Sequence, residues 1–144
     1  MVEIKQPDSA AFIATAKKVF LFLLDNGFSK SEADITNTTL TVGLVFRGQN
    51  VAVSLALDRR DGWIGCYLTR VLEGQLAGND VNGGYWGDLH SFLVKHRGYR
   101  GTFKEFRFEM EGEELFVTEL KTYAKAIQQL APDIVMDSGK VFQT

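Results

Sequence analysis

Three short hydrophobic runs near the middle of the chain constrain its fold most strongly. They are rich in β-branched and aromatic residues and occupy residues 39–46, 51–57 and 63–71. The connections between them are too short to hold a crossover helix, so neighbouring runs are predicted to pair as antiparallel strands. The segment 38–72 is therefore predicted to form a β-meander against which the remaining elements pack.

The alternation of residue types within the meander predicts which face is buried. In the first two runs the larger apolar residues fall on one side, at Leu40, Val42, Leu44, Phe46, Val51, Val53, Leu55 and Leu57. The third run has apolar residues on both sides, with Ile64, Cys66, Leu68 and Leu72 on one and Trp63, Tyr67 and Val71 on the other. Either this strand is covered on both faces, which we favour because helices are predicted at both ends of the chain, or it displays its aromatic side chains to a partner.

Helices are predicted before and after the meander because apolar residues recur there at spacings of three and four. They span residues 9–26, 86–97 and 113–131. Gly27 and Gly98 supply the stop signals of the first two, and the last ends before Pro132.

Two further strands are predicted outside the meander. A short edge strand is expected around Ile35, and Phe106, Phe108 and Met110 alternate with charged residues as in a half-buried strand. Together the elements predict a single α+β domain over residues 1–144, with an antiparallel sheet of four or five strands. The N- and C-terminal helices are expected to pack on one face of that sheet.

Composition narrows the class of protein. The formal net charge is -2 at pH 7, which argues against a dedicated nucleic-acid binder whose affinity rests on a basic surface. The single cysteine, Cys66, cannot form an internal disulfide, and its place in a strand pattern predicts a small buried residue. The chain begins without a leader-like segment, and no apolar run approaches the roughly 18 to 20 residues that span a bilayer. We therefore expect a cytoplasmic protein with no membrane partner.

Residues 73–88 hold five of the 14 glycines and are predicted to form the longest loop. A phosphate cradle is the specific interpretation, but no Gly-Lys-Ser/Thr follows the glycines and no Gly-x-Gly-x-x-Gly leads from a parallel strand. Ordinary turn chemistry is therefore the better interpretation.

Polar residues around the second predicted helix form an alternative ligand site, made of Asp88, His90, His96 and Arg97. The two histidines lie about 120° apart around a helix, so they cannot share a metal ion as an i, i+4 pair does. Asp88 and His90 could form an acid/base pair, but no nucleophile or motif accompanies them. The alternative function is a small hydrolase or ligand-binding enzyme that works at the glycine-rich loop with these four residues, and no metal or cofactor is expected.

Two adjacent segments carry opposite charge. The first is basic, with Lys95, Arg97, Arg100, Lys104 and Arg107, and the second is acidic, with Glu109, Glu111, Glu113, Glu114 and Glu119. Either the two segments neutralise each other across the fold, or the acidic one forms a surface that attracts a basic partner.

The order of elements resembles that of the small bacterial immunity proteins of contact-dependent and other polymorphic toxin systems. The nearest approach to motifs is His96-Arg-Gly-Tyr99, with Tyr123-Ala124 and Asp133-Ile134. The resemblance covers the whole chain in outline. It implies a non-enzymatic inhibitor that binds one toxin domain tightly, often a nuclease with a basic active-site cleft. It also implies an interface of acidic and aromatic side chains and no catalytic residue.

The partner-binding surface is accordingly predicted from the acidic segment and from the turn before the third strand. Its residues are Glu109, Glu111, Glu113, Glu114, Asp58, Asp61 and Trp63. A third function, binding of single-stranded nucleic acid, would need Trp63 and Tyr67 to be exposed beside Arg97 and Arg100.

Overall fold

The computed structural model describes residues 8–30, 34–108, 110, 112 and 114–142. Its helices are α1 (Ser9–Val19), α2 (Leu21–Asp25), α3 (Leu89–Arg97), α4 (Lys104–Phe108), α5 (Leu115–Leu130) and α6 (Pro132–Val135). Its strands are β1 (Ile35–Asn37), β2 (Thr41–Arg47), β3 (Val51–Asp58), β4 (Ile64–Leu72), β5 (Gln75–Ala77) and β6 (Trp86–Asp88). Within these described ranges, no helix has both the length and the apolar character needed to cross a membrane.

The strands form one antiparallel sheet, which confirms the predicted α+β class. β1 to β4 are neighbours in chain order, and β5 and β6 both pair with β4, along its outer edge. The meander is confirmed with its expected register, since Leu44 lies opposite Leu55 and Leu55 lies opposite Cys66. The edge strand predicted around Ile35 is β1.

One face of the sheet is covered by helices, as predicted. α1 contacts β2, α5 contacts β4, and the two helices contact each other. The ring centroids of Phe20 and Phe46 are 5.8 Å apart, which joins the N-terminal helical segment to the middle of the sheet. Cys66 is buried on this face, as its strand position predicts.

The predicted alternation holds along the paired part of the strands and fails at their ends. Leu40, predicted to be buried, is 56% exposed because it lies before β2, in a turn where the Thr38 N–H donates to the Thr41 carbonyl. On the second face of β4, Val71 is buried whereas Trp63 is half-exposed. That face is therefore buried at the Val71 end of the strand and partly exposed to solvent at Trp63.

The single N-terminal helix predicted over residues 9–26 is divided into α1 and α2 at Phe20. The Leu23 N–H donates to the Phe20 carbonyl, a tighter bond than the i→i−4 bond of an α-helix. Leu21, predicted to widen the buried stripe, is 50% exposed as a result. Gly27 has the left-handed φ of 94° expected of a helix stop, and Phe28 folds back into the core.

The strand predicted around residues 106–110 is wrong, because that segment begins with α4. Phe103 and Phe106 are both buried, and their spacing of three suits one helical turn. The N–H groups of Phe106 and Arg107 both donate to the Phe103 carbonyl. The apolar residues of this segment fit a period of three as well as a period of two, and packing of the two phenylalanines selects the helical one.

The glycine-rich segment 73–88 is more regular than predicted, since it contains β5, a series of turns and β6. The turns bring Gly84 so close to the backbone of β5 that an added Cβ would lie 2.6 Å from the Ala77 carbonyl oxygen. Glycine is therefore needed here for backbone packing, in agreement with the preference for turn chemistry over a phosphate cradle. β6 also occupies the first residues of the helix predicted over 86–97, so α3 begins at Leu89.

The C-terminal segment is attached to the β2–β3 hairpin by Asp137. Its carboxylate accepts hydrogen bonds from the backbone N–H groups of Gln49, Asn50 and Val51, and the Asn50 side chain donates to the Asp137 carbonyl at 2.8 Å. Three amide donors converging on one ionised acceptor form a strong local anchor. Asp137 itself has a left-handed φ of 52°.

This anchor predicts the effect of removing the carboxylate. Asp137→Gly keeps the left-handed backbone accessible but leaves three N–H groups without their acceptor, so the free energy of unfolding should fall by about 1 to 3 kcal/mol. Denaturant unfolding measures the change. Asp137→Asn retains one acceptor oxygen and tolerates the same φ, so its loss should be smaller; equal stability of all three proteins would contradict the assigned role.

Candidate functional site

Aromatic side chains gather around the face of β4 that lies opposite Cys66 and Leu68. Burial of Cys66 and Leu68 on the core face places Gly65 and Tyr67 on the opposite face. A Cβ added at Gly65 would lie 2.5 Å from the Tyr67 hydroxyl and 2.7 Å from Cζ3 of Trp63. The absence of a side chain at Gly65 therefore lets both rings lie over the strand.

Trp86 of β6 extends this aromatic group. Its ring stacks on that of Tyr67, with centroids 5.2 Å apart and planes 11° from parallel. Its backbone is fixed on the outer side by the Asn79 side chain, which donates to the Trp86 carbonyl at 2.7 Å and accepts from the Trp86 N–H at 3.0 Å. Trp63 is 50% exposed and Trp86 is 51% exposed, so two large rings face solvent from a fixed backbone. We call Trp63, Tyr67 and Trp86 the aromatic surface.

A cavity of about 570 Å³ opens beside the aromatic surface. Its aromatic walls are Trp63 from the β3–β4 turn, Tyr67 from β4, Phe103 from the segment before α4 and Tyr123 from α5. We call it the aromatic cavity. Its volume lies within the roughly 300 to 1,000 Å³ of small-molecule sites, and apolar walls with a few polar groups are typical of such sites.

The carboxylate in the wall of this cavity belongs to Asp88, directly opposite Tyr67 in the β4–β6 ladder. Burial alone would raise the pKa of Asp88, but hydrogen bonds from the Ser91 side chain and N–H, with the charge of His90, hold that pKa below its ordinary value. The same residue caps α3, since its side chain accepts from the Ser91 N–H at 3.0 Å. Asp88 is therefore a fixed negative charge at neutral pH.

The remaining polar groups of the cavity are held by neighbours. His90 Nε2 lies 2.9 Å from the Gly101 carbonyl oxygen, and because that oxygen only accepts, Nε2 is the protonated ring nitrogen. Arg107 pairs with Glu119 at 3.1 Å. The Tyr123 hydroxyl donates to the Ile64 carbonyl at 2.8 Å, and burial is the main cause that raises the pKa of Tyr123.

Cys66 also contacts the cavity but is unsuited to nucleophilic chemistry. Burial, followed by the charge of Asp88, raises the pKa of the Cys66 thiol far above its ordinary value. The thiol therefore stays protonated at neutral pH, whereas the thiolate is the reactive form.

The predicted alternative site is divided between two places. Asp88 and His90 line the aromatic cavity, whereas His96 stacks on Phe92 with centroids 4.9 Å apart and Arg97 forms an ion pair with Asp133. The first pair lies at the N-terminal end of α3 and the second at its C-terminal end. The four side chains therefore do not line one cavity.

The predicted partner-binding residues are divided as well. Glu109, Glu111 and Glu113 lie outside the described residues. Glu114 is exposed at the start of α5, where it makes no side-chain cap hydrogen bond. The Asp58 carboxylate accepts from the N–H groups of Arg60 and Asp61 in the turn before β4, Asp61 is exposed, and Trp63 belongs to the aromatic surface.

The opposite charges of the two predicted segments meet in one described ion pair, that of Arg107 with Glu119. Arg97, needed beside the exposed aromatics for single-stranded nucleic-acid binding, pairs with Asp133 and lies 5.0 Å from the centroid of the Phe92 ring. Among the residues whose positions are described, no three His, Cys, Asp or Glu side chains are grouped so as to hold a metal ion.

Trp63, Asp88 and His90 were predicted from the sequence as site residues, whereas Trp86, Phe103, Arg107 and Tyr123 were not. These four lie in β6, before α4, in α4 and in α5, and no local spacing predicts their convergence. Gly65 was the available signal, because a glycine inside an apolar strand often marks a close approach of other atoms.

Comparisons with known proteins do not assign this arrangement to a family. The chain matches no protein-family model, and neither a curated protein nor a solved structure shows significant similarity to it. The functional assignment therefore depends on the geometry of the site.

The position of Gly65 predicts how the aromatic surface can be disturbed without loss of the fold. Gly65→Ala should displace the Trp63 and Tyr67 rings, whose atoms occupy the space of the new methyl group, while stability changes by no more than about 1 kcal/mol. Fluorescence reports the displacement directly, because Trp63 and Trp86 are the two tryptophans of the chain.

A matched control is Gly139→Ala, whose added Cβ would lie at an ordinary 3.6 Å from the Asn50 side chain. It should leave the emission spectrum unchanged. An unchanged spectrum in Gly65→Ala as well would mean that the two rings do not lie over the strand.

His96 predicts a pH dependence of stability. Burial, and then the charges of Lys95 and Arg97, lower the pKa of His96, and its Nε2 is buried without a hydrogen-bond partner. Because the unfolded state then binds the proton more tightly, stability should fall as the pH decreases from roughly 7 to 5. In His96→Phe this component is absent, so chemical denaturation across the same pH range should give a shallower decrease than in the wild type; identical slopes would contradict it.

Proposed function

We propose that this protein is a cytoplasmic, non-enzymatic binding module of the immunity type, which inhibits a basic toxin domain by covering it with the aromatic surface and the carboxylates around it. The observation that carries the proposal is the pair of half-exposed tryptophans, Trp63 and Trp86, the second of which stacks on Tyr67. Tryptophan and tyrosine are the residues most enriched among those that dominate binding energy at protein interfaces.

The charge around the aromatic surface supports a basic partner. Asp58 and Asp61 precede Trp63 in the β3–β4 turn, and Asp88 lies beside Tyr67. The Arg59 guanidinium of the same turn donates to the Asn37 side chain at 3.0 Å, so its charge is directed toward β1. Arg60 is the exposed cation of this turn, against the three carboxylates of Asp58, Asp61 and Asp88.

The rigidity of the surface also supports recognition. Trp86 is held by the β4 ladder on one side and by both polar atoms of the Asn79 side chain on the other. The Tyr67 ring stacks on that of Trp86. Side chains that are already ordered lose little conformational entropy on binding, which favours tight association.

The division of the alternative site supports binding over hydrolysis. A hydrolase built from Asp88, His90, His96 and Arg97 would need those groups within reach of one substrate. Two of them lie at each end of α3. Their separation leaves Asp88 and His90 as polar groups in the wall of a cavity, with the cysteine of that wall held as an unreactive thiol.

Immunity genes lie beside their toxin genes, so the product of the reading frame directly upstream is the partner to test. Co-expression with this protein should relieve the growth defect that the upstream product causes, and the two purified proteins should form a complex. Trp63→Ala should raise the Kd about thirtyfold or more, the magnitude expected of a central aromatic residue. Asp61→Lys should mainly slow association and reduce its salt dependence.

Two variants serve as matched controls. Leu21→Ala removes an apolar side chain with the same 50% exposure as Trp63, and Asp25→Lys makes the same charge change as Asp61→Lys at an exposed site on α2. Neither should alter the Kd by more than about twofold. An upstream product that is neither toxic nor bound, or a complex as sensitive to the controls as to Trp63→Ala, would contradict the proposal.

A further inference from the structure

The proposed function depends on the exposed tryptophans and does not by itself require the aromatic cavity beside them. Four aromatic side chains line it, from the β3–β4 turn, β4, the segment before α4 and α5. An aromatic face carries negative electrostatic potential, and several faces around one space attract a cation. Trp63 and Tyr67 belong to both the aromatic surface and the cavity, so the opening of the cavity lies at the proposed interface.

The charged and titratable side chains other than cysteine and tyrosine in the cavity lining are Asp88, His90 and Arg107. Arg107 is paired with Glu119 at 3.1 Å, so that pair contributes little net charge. Asp88 remains as an ionised carboxylate in the wall. Burial is the largest cause that raises the pKa of Tyr67 and of Cys66, and the charge of Asp88 is the second. The potential of Asp88 therefore reaches two other residues of the lining.

We infer that the aromatic cavity is a binding site for an alkylammonium group, held by the aromatic side chains of Trp63, Tyr67, Phe103 and Tyr123 and by the carboxylate of Asp88. An anionic ligand would meet Asp88 and find Arg107 already engaged by Glu119. A neutral apolar ligand would bury the charge of Asp88 further without compensating it, which costs free energy. A soft organic cation satisfies both the rings and the carboxylate.

The alkylammonium group has two sources. It is a lysine side chain of the protein partner, in which case the inference rests on the proposed function, or it is a free organic amine. Both sources share the chemistry of the site, so the first experiment tests that chemistry with small probes and the second distinguishes the sources.

The first experiment uses three probes of one shape and different charge: choline, 3,3-dimethylbutan-1-ol and 3,3-dimethylbutanoate. Each is titrated into the full chain and followed by tryptophan fluorescence and by the amide NMR signals of Gly65, Tyr67 and Gly101. Choline should bind about two- to thirtyfold more tightly than the neutral alcohol, and the anion most weakly. Equal or tighter binding of the anion, or signal changes confined to other regions, would overturn the inference.

Asp88→Asn is the matched variant, because asparagine caps a helix as well as aspartate and removes only the charge. It should bring the affinities for choline and the alcohol together. Trp63→Leu should weaken choline more than the alcohol, since leucine retains apolar contact but has no aromatic face. A variant pair that retains the full preference for choline would also overturn the inference.

The second experiment measures the Kd of the protein partner with and without saturating choline. Weaker partner binding identifies a lysine of the partner as the source, and unchanged partner binding identifies a free amine. The two proposals fail separately. Absence of choline binding with partner binding intact overturns the inference alone, and choline binding with no protein partner overturns the proposed function alone.

Discussion

The alternating pleat of β4 is the constraint on which the rest of the structure depends. Its core face carries Ile64, Cys66 and Leu68, all buried, and burial of each of the two larger side chains contributes about 1.5 to 3 kcal/mol. A register shift of one residue would expose all of them, so the register is strongly fixed. The opposite face therefore has to present Gly65 and Tyr67, so Tyr67 is the member of the aromatic surface that this pleat fixes.

The same strand organises the elements that follow it. β5 and β6 pair with successive parts of its outer edge, so the chain between them must turn back on itself within a few residues. This return places Asp88 opposite Tyr67 and starts α3 one residue later. Asp88 therefore supplies both a carboxylate of the site and the N-cap of α3. Loss of pairing at this edge would remove the cavity wall and the helix start together.

Much of the fold could be predicted from the sequence because its signals are local. The meander follows from period-two alternation with short turns. The helix stops follow from glycine at positions 27 and 98, because glycine adopts the left-handed φ values of 94° and 66° that Gly27 and Gly98 show. The errors occur where two local patterns fit equally well. The segment of Phe103 and Phe106 satisfies helical and strand periods, and only the rings against which it packs, including Tyr123, decide between them.

The site was less predictable than the fold because its residues belong together only in three dimensions. Trp63 could be identified as an aromatic residue near carboxylates in the sequence. The stacking of Tyr67 on Trp86 depends on β6, whose residues were predicted to begin a helix. The sequence did contain one signal of the site, the glycine at position 65. Gly65 in a buried strand gives up a side chain that could have packed, and retaining it there is understandable because the Trp63 and Tyr67 rings occupy that space. An aromatic pair that needs an empty position beneath it gives up packing that a side chain at Gly65 could have made, and this supports the proposal that the face binds a partner.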